Sequence, residues 1–253
     1  MLLSLQMKIS VIIPFYKEIE LIGRATESVV INATNVCEYE ILVCNDGGFS
    51  ENEIRSKISD DANCCARVLR NSCGKGPGGA RNTGLDAATG ELIAFLDADD
   101  YWLPGKIKLQ LNAVLDNATF VATGYSLGLY KNNVMPPKRI KNASDILMLR
   151  GIGTSTVLAN QEFIGNLRFR DIRFAQDIDF WYALAKRSVF KYVPVKEVCV
   201  VYSTSGSTKN KFVQLKYYYR ILCLNGLSFD FRVRAMSRYI YTGVYNHYIK
   251  KHF

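Results

Sequence analysis

The sequence predicts an α/β fold in which a mainly parallel central sheet carries helices on both faces, followed by a basic helical C-terminal extension. Three observations lead to this prediction. Short β-branched runs alternate with segments of helical periodicity in the first half of the chain. Acidic and glycine-rich turns follow several of the predicted strands. The net charge of +9 is concentrated at 209–253, where nine Lys or Arg stand against one Asp.

Length and composition suit one globular domain. The 253 residues suffice for one α/β domain with an appendage, and 49% of them are hydrophobic, so a core can form without disulfides or structural metals. Seven cysteines without a CxxC pair, and only two histidines, favour a reducing compartment. The N-terminus has no basic leader, and no run approaches the ~20 apolar residues of a membrane span. We therefore expect a cytoplasmic or peripheral protein, with Met7 as an alternative start to Met1.

Strands and helices alternate in the first half of the chain. Residues 8–13 form an apolar, β-branched run that Pro14 ends, as in a buried parallel strand. Apolar residues at steps of three and four then predict a helix over 22–33. The other predicted elements of this half are strands at 39–44, 66–69 and 91–96, a glycine-rich loop at 74–79 and a helix that ends near Leu85.

The second half completes the predicted sheet. Ile107, Leu111 and Val114 resume helical spacing after Pro104. Apolar runs and turn residues predict four strands, a turn and two helices. These are strands at 119–125, 127–131, 155–158 and 198–202, a turn at 132–133, and helices at 144–149 and 177–187.

Acidic turns indicate where the chemistry lies. Asp46 and Asp97 each follow a predicted strand, and ligands of open α/β sheets bind beyond the carboxyl ends of the strands. Asp97, Asp99 and Asp100 place three carboxylates within four residues, and a bound cation would relieve their repulsion. Oxygen ligands favour Mg²⁺ or Mn²⁺. Alternatively, these aspartates cap the helix that follows Pro104.

The glycine-containing turns leave alternatives open. The turn at 46–48 could be an ordinary one, because Asp and Gly supply the conformations that turns require. The loop at 74–79 suggests a phosphate cradle. It lacks the Lys-Ser/Thr ending of a nucleoside-triphosphate loop, which argues against an ATPase.

Five segments in order resemble the family 2 inverting glycosyltransferases with the GT-A fold. They are residues 11–18, 43–47, 78–84, 95–104 and 174–181. The resemblance covers about 8–205 and implies a GT-A domain at 1–208, with 209–253 as a basic aromatic extension packed on it. It implies transfer of a hexose or N-acetylhexosamine from a UDP-sugar to a saccharide acceptor, lipid-linked through a polyprenyl diphosphate, in bacterial surface polysaccharide synthesis such as O-antigen or capsule assembly.

The resemblance also implies a donor site. Asp46 would accept the N3 hydrogen of uracil and would meet an acceptor atom in cytosine. Arg81 would lie near the uridine or the diphosphate, and Glu18 near the ribose. Tyr16 could equally be a core or rim aromatic. The implied UDP-sugar-binding residues are Pro14, Phe15, Tyr16, Glu18, Asp46, Arg81, Asp97, Ala98 and Asp99.

Metal and base follow from the same resemblance. Asp99 would bind Mn²⁺ or Mg²⁺ directly, with Asp97 in the metal shell, and the cation would stabilise the UDP leaving group. Asp100 could join them or cap the helix. Asp177 maps to the catalytic base, and inversion of an α-linked donor gives a β-linked product. Here Gln176 replaces the first acid of the family's acidic pair. Asp177 and Asp179 could also be first-turn acids favoured by a helix dipole, which is our interpretation for Asp179.

The end of the chain departs from the family pattern. Family members often carry Arg or His just after the last strand, and 202–208 has neither, although Lys209 or Lys211 could substitute. Beyond them, aromatic residues interleave with Lys and Arg, which suits an anionic membrane surface, a packed helical cap or a nucleic-acid face. We expect a cap that also touches the cytoplasmic face of the inner membrane, and no nucleic-acid partner.

Two other functions compete with glycosyl transfer. A sugar-1-phosphate nucleotidyltransferase shares the sheet topology but usually opens with a glycine- and arginine-rich loop, which 14–18 is not. A non-enzymatic membrane-binding or nucleic-acid-binding module would leave the aspartates unexplained.

Overall fold

The computed structural model of the chain describes residues 7–128, 132–149, 151–203 and 211–244. Within these residues, nine strands form one sheet. The strands are β1 Lys8–Phe15, β2 Glu38–Asn45, β3 Ala66–Arg70, β4 Leu92–Phe95, β5 Tyr101–Trp102, β6 Phe120–Leu127, β7 Asn133–Val134, β8 Val157–Asn160 and β9 Tyr192–Tyr202. The helices are α1 Ile22–Ala33, α2 Glu51–Arg55, α3 Asp60–Asn63, α4 Pro77–Ala87, α5 Lys106–Leu115, α6 Ala143–Met148, α7 Gln161–Ile164, α8 Gln176–Ala185, α9 Lys211–Leu224 and α10 Phe229–Val244.

The sheet is mixed in direction. Its order is β3-β2-β1-β4-β8-β6-β9-β5, with β7 beside β6. The β3-β2-β1-β4 half is parallel, as is the β6 and β9 pair, whereas β8 is antiparallel to both its neighbours, β7 to β6 and β5 to β9. The α/β fold class is confirmed, but antiparallel pairs are as frequent as parallel ones. An apolar run marks a buried strand without encoding its direction, so the sequence did not reveal this.

Strand register brings four turns to one edge of the sheet. Phe15 at the end of β1 pairs with Asn45 at the end of β2, and Asn45 pairs with Arg70 at the end of β3. On the other side, β1 runs parallel to β4, which ends at Phe95. The turns that follow these four strands therefore share the carboxyl edge, where open α/β sheets bind ligands.

Helices cover both faces of the sheet, as predicted. Alternate residues of a strand point to opposite faces. Strand β1 illustrates this, because Val11 and Ile13 join the core beneath α1, whereas Ile12 joins the core beneath α4 and α8. On the second face, Phe95 contacts Trp181 of α8, with ring centroids 5.8 Å apart.

Several element boundaries differ from the predictions. Helix α4 begins at Pro77, inside the predicted glycine-rich loop, because proline suits the first turn of a helix. A 3-10 turn occupies Thr154–Thr156, so the strand expected at 155–158 begins at Val157. The expected 132–133 turn overlaps β7, which starts at Asn133. The strand expected at 127–131 lies partly outside the described residues. Helices α2, α3 and α7 and strand β5 were not predicted, since each is five residues or shorter.

The last two described helices pack on the second face of the domain. Tyr218, Ile221 and Leu222 of α9 and Ala235 of α10 are buried in the same core as α8. The Tyr218 hydroxyl donates to the carbonyl oxygen of Leu147. Among the described residues, no helix combines the length and the apolar character needed to cross a bilayer.

Candidate active site

Asp46 lies at the carboxyl edge of the sheet in a fixed orientation. Its backbone N–H donates to the carbonyl oxygen of Phe15 at 2.7 Å, which joins the ends of β2 and β1. Its carboxylate accepts hydrogen bonds from Asn71 Nδ2 at 2.6 Å and from the backbone N–H of Gly76 at 2.7 Å. A Cβ atom at Gly47 would overlap the carbonyl oxygen of Tyr16, so glycine permits this close approach. The glycine-rich loop therefore wraps around Asp46.

The residues after β1 differ in what they can present to a ligand. Phe15 is buried in the core against Phe49, so only its backbone reaches the edge. Tyr16 is 58% exposed, which excludes the core alternative for its side chain. Glu18 accepts hydrogen bonds from the backbone N–H groups of Tyr16 and Lys17. Its carboxylate thus closes the turn, while Pro14 is half-buried.

The carboxylate loop, residues 97–100, follows β4. Asp100 is buried and accepts hydrogen bonds from Ser155 Oγ at 2.6 Å and from the backbone N–H of Ser203 at 2.9 Å. Helix α5 begins only at Lys106, with Gly105 before it. No residue of the loop caps this helix, so the capping alternative for the aspartates was wrong. Asp100 instead anchors the loop to later parts of the chain.

Asp97 and Asp99 remain half-buried at the same edge, with Ala98 buried between them. The pKa of Asp99 is raised to about 6, mainly by burial and also by the charges of Asp97 and Glu18, whereas Arg24 opposes the shift. This unfavourable crowding of carboxylates would be relieved by a cation.

A divalent cation fits these two carboxylates. The described residues contain no group of three or more His, Cys, Asp or Glu that could hold a metal ion, so the protein would supply only part of the coordination shell. Mg²⁺ sites commonly use one or two carboxylates and take their other ligands from water and substrate phosphates. The pair Asp97 and Asp99 provides such a partial set of oxygen ligands.

Arg81 projects from α4 toward the carboxylate loop. Its Nη2 donates to Asp97 Oδ1 at 2.5 Å, and the guanidinium lies 5.5 Å from the ring centroid of Phe169. Arg81 is 4% exposed, and its buried Nε has no hydrogen-bond partner within the described chain. A planar cation with an unused donor suits an anionic ligand.

Asp177 occupies the first turn of α8, where its carboxylate interacts electrostatically with Arg81 and Asp97. Ala175, which precedes the helix, has the left-handed values φ 58° and ψ 24°. Burial raises the pKa of Asp177, the charge of Asp97 adds to the increase, and the charge of Arg81 opposes it. Asp177 is therefore electrostatically coupled to Arg81 and Asp97.

Asp179 has a different environment from Asp177. It is 3% exposed, accepts a hydrogen bond from Asn225 Nδ2 at 2.6 Å and pairs with Arg170 Nε at 3.4 Å. The Asn225 contact joins α8 to the residue that follows α9. Asp179 thus has a structural role in linking the two helices.

Sequence reasoning missed four residues that shape the site. Ser155 accepts from the backbone N–H of Asp97, and Tyr202 accepts from the backbone N–H of Ser155. Arg24 donates to the carbonyl oxygen of Asp99 at 2.8 Å. Asn71 follows β3, so the strand-end rule that selected Asp46 could have found it. The other three had no comparable signal. Lys209 and Lys211, offered for diphosphate binding, lie outside the side chains that the structure describes.

Comparisons with known proteins identify the family of the chain. The model of the family described as glycosyl transferase family 2 matches residues 10–191. The UDP-Glc:alpha-D-GlcNAc-diphosphoundecaprenol beta-1,3-glucosyltransferase WfgD of Escherichia coli is 28% identical over 249 residues, which cover 94% of each chain.

Two solved structures share the fold. S. aureus TarS 1-349 in complex with UDP-GlcNAc aligns with a TM-score of 0.62 and 21% identity, over 86% of this chain and 65% of TarS 1-349. The mannosyltransferase PcManGT from Pyrobaculum calidifontis in complex with GDP-Man and Mn²⁺ aligns with a TM-score of 0.61 and 16% identity, over 93% of this chain and 70% of PcManGT. At these identities the likeness concerns the fold.

Proposed function

The chain belongs to glycosyl transferase family 2, and from this premise we propose that it transfers glucose from UDP-glucose to a polyprenyl-diphosphate-linked N-acetylglucosamine. The transfer inverts the anomeric carbon and forms a β-linkage. Family membership makes the protein a glycosyltransferase. It therefore argues against nucleotidyl transfer and against a purely non-enzymatic role as the main function. Because the proposed acceptor is a sugar linked to a polyprenyl diphosphate, we place the reaction in the synthesis of a surface polysaccharide.

One observation carries the proposed substrates. The similarity to the E. coli glucosyltransferase extends over 94% of both chains, so it includes the C-terminal helices as well as the donor half. That enzyme's name specifies UDP-Glc, a diphosphoundecaprenol-linked GlcNAc and a β-1,3 linkage. A shared donor domain alone would support a UDP-sugar without indicating the acceptor.

The donor would bind along the carboxyl edge. We assign uracil to Asp46, whose carboxylate is oriented by Asn71 and Gly76. The remaining lone pairs of this carboxylate can accept the N3 hydrogen of uracil, whereas the N3 of cytosine would offer another acceptor. Tyr16, exposed beside Asp46, would cover the base. Arg81 would donate to the uridine or to the diphosphate.

Asp99 and Asp97 would hold Mn²⁺ or Mg²⁺. When bound there, such a cation supplies Lewis-acid stabilisation of the negative charge that develops on the departing UDP. Both side chains stay partly open to the edge, and Arg81 holds Asp97 in place.

The proposal also includes the domain division at residue 208, with the glycosyltransferase domain before it and the C-terminal extension after it.

Asp177 would act as the general base. The acceptor hydroxyl oxygen attacks the anomeric carbon from the side opposite UDP, and the bond between that carbon and the phosphate oxygen breaks. The hydroxyl proton passes to the Asp177 carboxylate, and the electron pair leaves with UDP. The raised pKa of Asp177 makes this carboxylate a better proton acceptor than an ordinary aspartate.

An apolar stripe on α10 would contact the inner-membrane surface where the acceptor resides. Phe229, Val233 and Ile240 recur at helical spacing and are 68%, 47% and 48% exposed, and Tyr241, next to Ile240, is 66% exposed. Ala235 on the opposite side of the helix is buried. An apolar face on a basic helix suits the headgroup layer of an anionic bilayer.

Calorimetric titration with UDP, GDP and CDP, each with and without Mn²⁺, tests the donor. We expect UDP to bind most tightly and only weakly without metal. A transfer assay then offers UDP-glucose and a lipid-linked GlcNAc-diphosphate, with Asp177→Asn as the inactive control. Equal binding of the three nucleotides, or transfer from another nucleotide sugar, would contradict the assignment of UDP-glucose as the donor. Sedimentation with anionic vesicles tests the membrane contact, which Val233→Asp should weaken while leaving UDP binding intact.

A further inference from the structure

A pocket on the outer face of α9 has no part in the donor site. It has a volume of about 390 Å³ and is lined by Lys216, Tyr217, Tyr219, Arg220 and Cys223. Lys216, Arg220 and Cys223 recur at steps of four and three, so they share one face of the helix. Both cations are exposed. We call these five residues the α9 pocket.

We propose that the α9 pocket binds the diphosphate of the lipid-linked acceptor. This inference rests on the proposed function, which requires such an acceptor. A polyprenyl-diphosphate sugar carries two anionic phosphates between its sugar and its apolar chain. Lys216 and Arg220 supply the cations that bind phosphate oxygens, and the tyrosines supply amphipathic walls for the neighbouring sugar or first prenyl unit.

The pocket adjoins the segment that carries the candidate base. Tyr217 packs edge-on against Phe174, with ring centroids 4.9 Å apart and planes at 69°. Phe174 precedes Asp177 by three residues, which span at most about 11 Å of chain. Arg173, exposed beside them, lies 5.5 Å from the Phe174 ring centroid and adds a third cation. An acceptor whose hydroxyl reaches Asp177 can therefore extend its diphosphate toward the α9 pocket.

The two cations of the pocket are available to a ligand. In the described part of the chain, neither Lys216 nor Arg220 forms an ion pair with a carboxylate. The nearby Arg170 differs, because it pairs with Asp179. Charge that is not offset within the protein favours an anionic ligand. Tyr217 of the pocket contacts Phe174, close to the candidate base Asp177, whereas no such contact is described for the α10 stripe. This position favours the acceptor diphosphate as the ligand over lipid headgroups in general.

The double variant Lys216→Gln/Arg220→Gln tests the proposal. Initial rates are measured in detergent with UDP-glucose and a short-chain alkyl GlcNAc-diphosphate as acceptor. We expect the KM for this acceptor to rise about tenfold or more, with kcat and the KM for UDP-glucose unchanged, because the lost contacts bind ground state and transition state alike. The matched control Lys108→Gln/Lys196→Gln removes two exposed cations elsewhere and should keep the wild-type constants.

A second acceptor identifies the group that the pocket recognises. An alkyl glycoside of GlcNAc with the same tail but no diphosphate should give equal KM values for wild type and variant. An unchanged KM for the diphosphate acceptor, or the same rise for the glycoside, overturns the proposal. So does a variant that loses binding to anionic vesicles while keeping its KM in detergent, because the pocket would then serve the membrane surface.

Failure of the proposed function gives a different result. Wild-type protein would then transfer glucose to neither acceptor. Equilibrium dialysis with the alkyl GlcNAc-diphosphate still tests the pocket in that case. Binding by the wild type that the double variant loses supports the pocket, and equal binding by both proteins overturns it.

Discussion

Arg81 and Asp97 form an ion pair between α4 and the carboxylate loop, with 2.5 Å between Nη2 and Oδ1. The Arg81 side chain is 5% exposed, whereas Asp97 remains 30% exposed. The charge of Asp97 also raises the pKa values of Asp99, Asp100 and Asp177. Arg81 therefore offsets negative charge at the centre of an acidic site, and its contribution should be visible in both stability and binding.

Arg81→Gln should lower the free energy of unfolding and weaken UDP binding. Removing one partner of a buried ion pair costs about 3–5 kcal/mol, and the partial exposure of Asp97 places this pair at the lower end. Urea unfolding gives the stability, and calorimetry gives the UDP affinity. Arg81→Lys keeps the charge but loses the planar fork, so it should recover stability more fully than UDP affinity. Unchanged unfolding in Arg81→Gln would contradict the role of the pair.

Asp177→Asn should lower kcat by about 10²–10⁴ while UDP binding persists, because a positioned general base contributes that range. Steady-state rates and calorimetry measure the two quantities. Asp179→Asn, two residues away, is the matched control. It should lose stability, since it weakens contacts to Asn225 and Arg170, and keep its kcat. A reversed pattern, with kcat lost in Asp179→Asn alone, would move the base to Asp179.

Gly79→Ala should disturb the loop that orients Asp46. A Cβ atom at Gly79 would overlap the carbonyl oxygen of Gly74, so the backbone of the loop must shift. Such overpacking costs about 1–3 kcal/mol, and it should weaken UDP binding by displacing the N–H of Gly76 from Asp46. Gly48→Ala is the control, because a Cβ there meets no atom within 4 Å. Equal UDP affinity in the two variants would speak against this function of the loop.

Lys106 should make stability increase with pH above neutrality. Burial lowers its pKa from 10.5 to about 7 in the folded protein. Between these values the unfolded chain binds a proton that the folded chain does not, so the free energy of unfolding rises with pH by at most about 1.4 kcal/mol per unit. The stability gained from keeping Lys106 neutral in the folded protein is lost as the pH falls toward its folded-state pKa of about 7. Urea unfolding from pH 7 to 8.5 measures this slope.

Lys106→Met should remove this part of the pH slope. The slope is the readout because the substitution also deprives Gln110 Oε1 of its donor, which changes absolute stability. Burial raises the pKa values of Cys37 and Cys44, which gives an opposite slope at higher pH, so the comparison stops at 8.5. Lys108→Met, on the exposed side of α5, should keep the wild-type slope. Identical slopes in all three proteins would show that Lys106 is protonated throughout.

The sequence was sufficient for much of the donor edge. Periodicity predicted α1, because an amphipathic helix repeats at steps that few other structures share. The rule that ligands bind beyond strand ends placed Asp46 and Asp97 together, and the register of β1, β2 and β4 confirms that their turns share one edge. Local patterns were enough there because each turn follows its own strand directly.

The anchors of the carboxylate loop could not be predicted in this way. Ser155 is 55 positions from Asp100, and Ser203 is 103 positions away. A serine in a strand or turn has no pattern that indicates its distant partner. Strand direction was hidden for a related reason, since buried strands of either direction are apolar runs. What sequence reasoning lacked was long-range pairing.

These long-range anchors also bear on the order of events during synthesis. The strands β1 to β4 leave the ribosome early and can pair with one another as a unit. The carboxylate loop then still lacks Ser155 and Ser203, and Tyr101–Trp102 lacks its partner strand β9. We therefore expect nascent chains that stop before residue 203 to bind no nucleotide, so that the site becomes competent only after Ser203 has been added and β9 has paired with β5.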